Sequence, residues 1–499
     1  MINTLIKLLI VFLLIFTPAA FGSMEPWAFS IMELTILLII ILWAIQSLLA
    51  PTSQGSGCPT SPSEKKGGAL SRPLEICNLK FGIPLVLLSL FLLFILFQIM
   101  SLPAGFVKII SPKTFELRHF LSVSDPGSTI PALDPRGLGR NPHFPISFFP
   151  FLTQIEFFKW LTLIGFFIFL LRWKPLEQDD RTKKQLTLAV MAVGVLESFY
   201  GIFEFFSGHR HILHLQAEYL VSSVTGTFIN RNYFAGHLLM VIPVSIGFFF
   251  SRKAAQDSRY GSWRERLISL DGKTLLIGIG VIVMILGLLF SASRMGILSL
   301  LISFSLIIFL FRNPEKRNRF SKTVVLIFGL ALLWAAWIGL DAVISRFFNV
   351  PESFETRSKI WVNTFQIFKD FPILGSGLGT FVQIFPMYRS FHILGLVTHS
   401  ENDFLQLLSE TGILGTGLLA ILFFFLLFKA SSEVRGLSRR EPARYIALGG
   451  LVGILALMFH SLVERNIQVP ANALFYTVLW AMVLNSPKGA RKSLSHSIT

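Results

Sequence analysis

Charge is scarce in this sequence. Of its 499 residues 14% are Asp, Glu, Lys or Arg, against roughly 25% in a soluble chain. A water-exposed surface of ordinary polarity cannot be built from that supply. Cysteine is rarer still: Cys58 and Cys77 are the only two, which excludes a disulfide-stapled scaffold. Both read as unpaired thiols without a special role. Glycine shows no triplet period, so a collagen-like fibre is excluded. What is abundant is apolar: 53% of residues are hydrophobic and 51 are Phe, with a mean hydropathy of +0.65. That rules out disorder and leaves a polytopic membrane protein.

A helix crossing the hydrocarbon needs about 20 mostly apolar residues. Such runs occur near 5–21, 28–49, 82–102, 154–171, 186–206, 226–250, 274–291, 295–311, 323–341, 404–428, 445–463 and 471–485. They are too long for strands and lack the alternation of an outer-membrane barrel. The expected fold is an all-α transmembrane bundle of about 12 spans. The first run also reads as a signal peptide, with Lys7 before an apolar stretch and small residues at Ala19 and Ala20. Three parts follow: 1–180 with an inner linker at 51–80 and an outer loop at 103–153, the bundle at 185–485 with an outer loop at 342–403, and a tail at 486–499. The loop 103–153 is rich in Pro and Gly. The loop 342–403 is amphipathic, with Trp361, Phe365 and Phe368 ahead of the Gly-rich turn 375–379.

The net charge of +16 points to nucleic acid in a soluble protein, but here its placement decides. With the N-terminus inside, the inner segments and Lys7 carry 29 of the 44 Lys and Arg residues. That is the positive-inside pattern, so the basic clusters are orientation signals with affinity for anionic lipid. No nucleic-acid partner is expected. Histidine runs the other way: eight of ten fall in outer loops or at outer helix ends. Since histidine titrates near neutrality, chemistry at the outer face is indicated.

Ionisable groups at apolar spans cost about 2.5–3.5 kcal/mol each, so they mark candidate sites. Arg294 stands in a tight turn between two apolar runs. It reads either as an interface arginine reaching water or as a guanidinium offered to an anion. Asn230, Arg231 and Asn232 open the sixth run with His237 deeper in; Asn230 fits a helix cap. Glu197 and Glu204 are candidate counter-charges. The strongest stretch is Thr398 to Gly415, where Asn402, Gln406 and Glu410 recur every four residues on one helix face behind His399 and Glu401. Gly412, Gly415 and Gly417 read as close-packing positions. The topology puts Arg231, Arg294, Arg357 and His399 on one side of the membrane. Cations beside a titratable base suit an anionic, lipid-linked substrate held while a hydroxyl is activated.

The stretch from His399 to Gly415 resembles the signature of the O-antigen ligase and polymerase superfamily. Gly226–His237, Ser293–Gly296, Arg357–Trp361 and His460–Asn472 resemble recurring segments of the same family, over roughly residues 185–485. The resemblance implies a bundle similar to GT-C type glycosyltransferases, sited in a bacterial inner membrane with both termini cytoplasmic and the active site on the periplasmic or extracellular face. It implies transfer or polymerisation of an undecaprenyl-diphosphate-linked glycan onto a glycan, lipid or protein hydroxyl, as in lipopolysaccharide or exopolysaccharide synthesis. No metal or other cofactor is implied. His399 or Glu401 would be the base, because Glu401-Asn402 stands where many ligases have His-Asn. Arg294 and Arg357, with Arg231, would hold the diphosphate, and Asn402, Glu410 and Asn230 would support them. The alternative function is small-anion transport, bicarbonate-like, within the same superfamily; against it stands the lack of a repeat between halves.

Overall fold

The computed structural model describes residues 1–49, 82–124, 143–208, 211–213, 215–216, 223–257, 271–310, 317–338, 351–392, 395–438 and 441–485. Cys58, Cys77, the linker 51–80, His209, His214, the inner-loop residues Arg259, Arg264, Arg266, Arg312 and Lys316, and the tail 486–499 lie outside them.

Every apolar run becomes a helix, because a backbone in lipid must satisfy its own N–H and C=O groups. The long helices are α1 (Ile2–Ala19), α2 (Pro26–Leu49), α3 (Gly82–Ile99), α6 (Pro150–Arg172), α8 (Asp180–Ser207), α9 (Arg231–Asp257), α10 (Gly272–Phe290), α11 (Arg294–Leu310), α12 (Arg317–Ile338), α15 (Asp403–Gly436), α16 (Pro442–His460) and α17 (Pro470–Leu484). Nine of them are long and apolar enough to cross a membrane, while α11, the apolar part of α12 and α17 are shorter. Between α3 and α6 stand α4 (Ala104–Ile110) and α5 (Pro112–Ser124), so the first part of the loop expected as Pro- and Gly-rich is helical. A five-residue α7 (Lys174–Gln178) joins α6 to α8, and α13 (Pro351–Asp370) and α14 (Phe381–Tyr388) fill the loop before α15. Two short antiparallel strand pairs are also present: β1 (Leu102–Pro103) with β2 (His143–Phe144), and the hairpin β3 (His211–Ile212) with β4 (Leu215–Gln216).

The centre of the bundle is α9, whose spanning part is enclosed on every side. It lies against α16 at backbone distance: a Cβ on Gly449 would fall 2.3 Å from the Pro243 carbonyl oxygen, so no larger residue fits between these helices. Helices α1, α2 and α3 instead turn Leu8, Leu34, Ile41 and Leu93 outward, as lipid-facing helices do. At one rim the connections 20–25, 223–230, 291–293 and 461–469 meet. Phe228 and Val469 close over Gly22, Val224 N–H donates to Phe290 O at 3.1 Å, and Asp403 N–H donates to Ser461 O at 3.1 Å. The opposite rim is closed by contacts such as Asn485 Nδ2 to Leu170 O at 3.0 Å. Helices α13 and α14 form a small apolar core of their own, with Ile360, Ile367, Phe371, Phe381 and Phe385, against the site-bearing rim.

Candidate active site

The entrance to α15 is set by three neighbouring residues. Glu401 has a φ of +54°, a left-handed conformation that costs a non-glycine residue about 1–3 kcal/mol. That turn lets Asn402 cap the helix, its Oδ1 accepting the Leu405 N–H at 2.9 Å. Asp403 then turns its carboxylate across the rim, and its Oδ2 accepts the N–H groups of Asn466 and Ile467, each at 2.8 Å. This fastens the 461–469 connection, with Glu464 and Arg465 in it, beside His399.

Two contacts define what gathers there. Arg465 Nη1 meets His399 Nε2, so Nε2 accepts and the imidazole is neutral. Burial first, then the charges of Arg465 and Lys159, lowers the histidine to about 3. The other contact is Arg357 Nη1 with Glu464 Oε1 at 2.5 Å, where Glu464 also accepts from Asn232 Nδ2 at 2.7 Å. Burial pushes Glu464 up to about 7, against the pull of Arg357 and with the charge of Glu401 adding to it. Burial acts to lower the Arg357 guanidinium, but Glu464 outweighs it and holds the group above its ordinary value. Glu401 is close enough for its charge to act on Arg357, Glu464 and Tyr233. Tyr233 in turn lies under Arg465, whose Cζ is 6.0 Å from the ring centre.

The residues expected from the sequence thus fall into three groups. His399, Glu401 and Arg357 come together. Arg231 and Arg294 open α9 and α11 at the same rim, where a Cβ on Gly296 would touch Ala235, so the two helix starts are neighbours. Asn230, Asn402 and Glu410 have identified structural duties. Asn230 Oδ1 accepts the Asn232 N–H at 2.8 Å as a cap. Glu410 accepts Gly379 N–H at 3.0 Å and Phe381 N–H at 3.1 Å, which ties the 375–379 turn and the start of α14 to α15. At Gly375, with φ +70°, a Cβ would lie 2.2 Å from the Glu410 backbone. Gln98 of α3 completes the joint, donating to Leu374 O and Glu410 O and accepting from Leu378 N–H.

Some expectations change. Glu197 is no counter-charge for Arg231: it accepts from the backbone and hydroxyl of Thr227 at 2.8 and 2.7 Å. Gly417 has open space where a side chain would go, so it is not a close-packing position. Gly412 breaks α15, and the freed N–H groups of Ile413 and Leu414 donate to Pro372 O and Ile373 O.

A cavity of about 800 Å³ opens beside His399. Its walls are mainly apolar side chains of α6, α15 and α17, Trp160, Phe423 and Trp480 among them, and its polar end holds His399, Arg465, Gln406, Gln468 and the pair Glu156–Lys159. Lys159 Nζ is 2.5 Å from Glu156. Sequence reasoning did not single out Glu464, Arg465, Glu156 or Lys159. The last two carry a legible signal, opposite charges three apart inside an apolar run. Among the described residues no group of three or more His, Cys, Asp and Glu side chains could hold a metal ion.

The family model described as O-antigen ligase matches residues 279–420, from the middle of α10 into α15. The match takes in Arg294, Arg357, His399, Glu401 and Glu410 and ends before Arg465. No curated protein matches the chain. The matched family gives no support to the transport alternative. Residues 279–420, set across the polar rim of an all-α bundle with nine helices long and apolar enough to cross a membrane, are thus similar to the O-antigen ligase family.

Proposed function

We propose that the protein is a bacterial inner-membrane glycosyltransferase that ligates or polymerises an undecaprenyl-diphosphate-linked glycan at the periplasmic or outer face. The observation that carries this reading is the meeting of His399, Glu401 and Arg357 at one rim, inside or beside the matched ligase segment and next to an apolar cavity. The inner-loop positive charge makes this rim the outer one, with both termini in the cytoplasm.

The reaction is a single displacement. An acceptor hydroxyl oxygen attacks the anomeric carbon, the bond from that carbon to the diphosphate oxygen breaks, and His399 or Glu401 takes the hydroxyl proton. The anomeric centre inverts, and polyprenyl diphosphate leaves with the bonding electrons. Arg357, with Arg294 and Arg231 at the adjoining helix starts, stabilises the charge that grows on the leaving group, where binding lowers the barrier. Glu401 and Glu464 keep Arg357 oriented. Asn402, Asn230 and Glu410 act through the backbone they hold, and the prenyl tail follows the apolar cavity into the bilayer.

In proteoliposomes supplied with a lipid-linked glycan donor and its acceptor, the wild type releases free polyprenyl diphosphate. His399→Ala and Arg357→Ala each reduce that release by about a hundredfold or more, the range of a lost general base or electrostatic contact, with normal insertion and thermal unfolding. Full activity in either variant removes that residue from the mechanism. Solute uptake by the wild type without any donor would replace the reading with transport.

A further inference from the structure

Arg465 is unlike the other cations of the rim. Its side chain is buried, with the residue 9% exposed, and among the described residues no carboxylate lies within ion-pair distance of it. Asp403 acts on it only from further away. Its contacts are the His399 imidazole and the ring and hydroxyl of Tyr233, and its buried Nε meets no acceptor among the described residues. A buried guanidinium without a counter-ion is costly, and this one lines the cavity. Three of the nearby acids carry bonds elsewhere. Asp403 accepts two main-chain N–H groups, Glu410 accepts two more, and Glu156 holds Lys159. Lys159 lines the same polar end from α6 and is near enough for its charge to act on His399.

From this geometry we infer that Arg465, with Lys159 lining the same cavity, is the binding site for the phosphate head of a lipid whose chain lies in the apolar cavity. The occupant is the diphosphate of a polyprenyl-linked donor; this choice of lipid rests on the proposed transferase reading, while the anion site rests on the cavity itself. The site explains why a guanidinium is buried beside an imidazole. A phosphate oxygen supplies the charge-assisted hydrogen bonds that Arg465 lacks. In forming them the guanidinium turns from His399 Nε2, and that lone pair becomes available to a hydroxyl proton. Arg465 thereby couples arrival of the anion to exposure of the base, as a positioning residue for His399 and a binding residue for the lipid.

Trp160 and Trp480 line the cavity, so the test is fluorescence titration of the full-length protein in nanodiscs. The probes are polyprenyl diphosphate, neutral polyprenol of the same length, and phosphatidylglycerol. Polyprenyl diphosphate is expected to bind well above the other two, about tenfold or more weaker in Arg465→Gln, less weakened in Lys159→Gln, and within a few-fold of wild type in Arg465→Lys. Unchanged affinity in both Arg465→Gln and Lys159→Gln overturns the site, as does neutral polyprenol binding as tightly as the diphosphate. Phosphatidylglycerol binding equally well, with the same dependence on Arg465, overturns the polyprenyl assignment in favour of a bilayer lipid. If Arg465→Gln does not fold, Arg465→Lys and Lys159→Gln carry the test. Binding is read without turnover, so it fails or succeeds independently of glycan transfer.

Discussion

The two rims of the bundle use charge for different ends. At the rim away from the site, polar groups finish helices. Lys183 donates to the carbonyl of Asn485, the residue that caps α17, over 2.5 Å. Asp179 caps α8 and Asp271 caps α10, Arg252 holds Asp271 at 2.7 Å, and Arg444 donates to Leu437 O at 2.7 Å. Each contact satisfies a backbone group that a helix end leaves open, or, in the case of Arg252, holds the side chain that does so. At the site rim, Arg357 and Glu464 face one another, Arg465 faces an imidazole, and His399 Nδ1, Arg465 Nε and Asp403 Oδ1 are buried without partners among the described residues. Among the described residues the first rim's charges close on helix ends, whereas the site rim holds buried groups it does not satisfy. That difference, rather than the number of charges, marks where a ligand belongs.

The largest effect expected from a single change falls on the framework of the site rim. Gly375→Ala combines a left-handed φ with a Cβ placed against the Glu410 backbone. It should destabilise the protein by about 3 kcal/mol or more and detach the 375–379 turn from α15. Thermal unfolding in detergent, run beside the transfer assay, measures both. Unchanged unfolding would mean that the turn is not fastened to α15 and that the rim lacks the rigid joint described above.

A smaller effect, and a sharper contrast, is expected at the other rim. Lys183→Met removes a buried donor from Asn485 O and should lower stability by about 1–3 kcal/mol while leaving polyprenyl diphosphate release unchanged at a temperature where the variant is folded. A specific loss of transfer with normal unfolding would break the distinction between the rims.

Most of the bundle was legible because lipid leaves a 20-residue apolar run no alternative to helix. All twelve runs are helices, and the errors sit at ends and breaks. The sixth run starts at Arg231 because Asn230 caps it, and α15 is interrupted at Gly412 by carbonyls 40 residues earlier in the chain, at Pro372 and Ile373, which no local pattern announces. At the site, the residue types before α15 were visible, but their partners were not. Glu464 and Arg465 are adjacent in sequence, yet one faces Arg357 and the other His399. Opposite directions for neighbouring side chains follow from Asp403 gripping the next two N–H groups. Long-range contacts of this kind also gave Glu197 its partner, Thr227.

The smallest expected change is a spectroscopic one, and it bears directly on the unsatisfied rim. His399 is lowered from 6.5 to about 3, by burial first and then by Arg465 and Lys159, so its ring should remain neutral as the pH falls from about 7 to 5. Because the folded value is below the unfolded one, this histidine favours folding fully above about pH 6.5, and that contribution is lost as the pH falls toward 3. Glu464, raised from 4.5 to about 7, acts in the opposite sense: its contribution is present below about 4.5 and is lost as the pH rises through about 7. Histidine-labelled protein followed by NMR should show no protonation of His399 across that range. In Arg465→Gln the midpoint should rise, since one of three causes is removed, but stay below 6.5 because burial, the largest cause, persists. A wild-type ring that titrates near 6.5 would mean that Arg465 is not held against Nε2, and the contrast between the rims would then weaken.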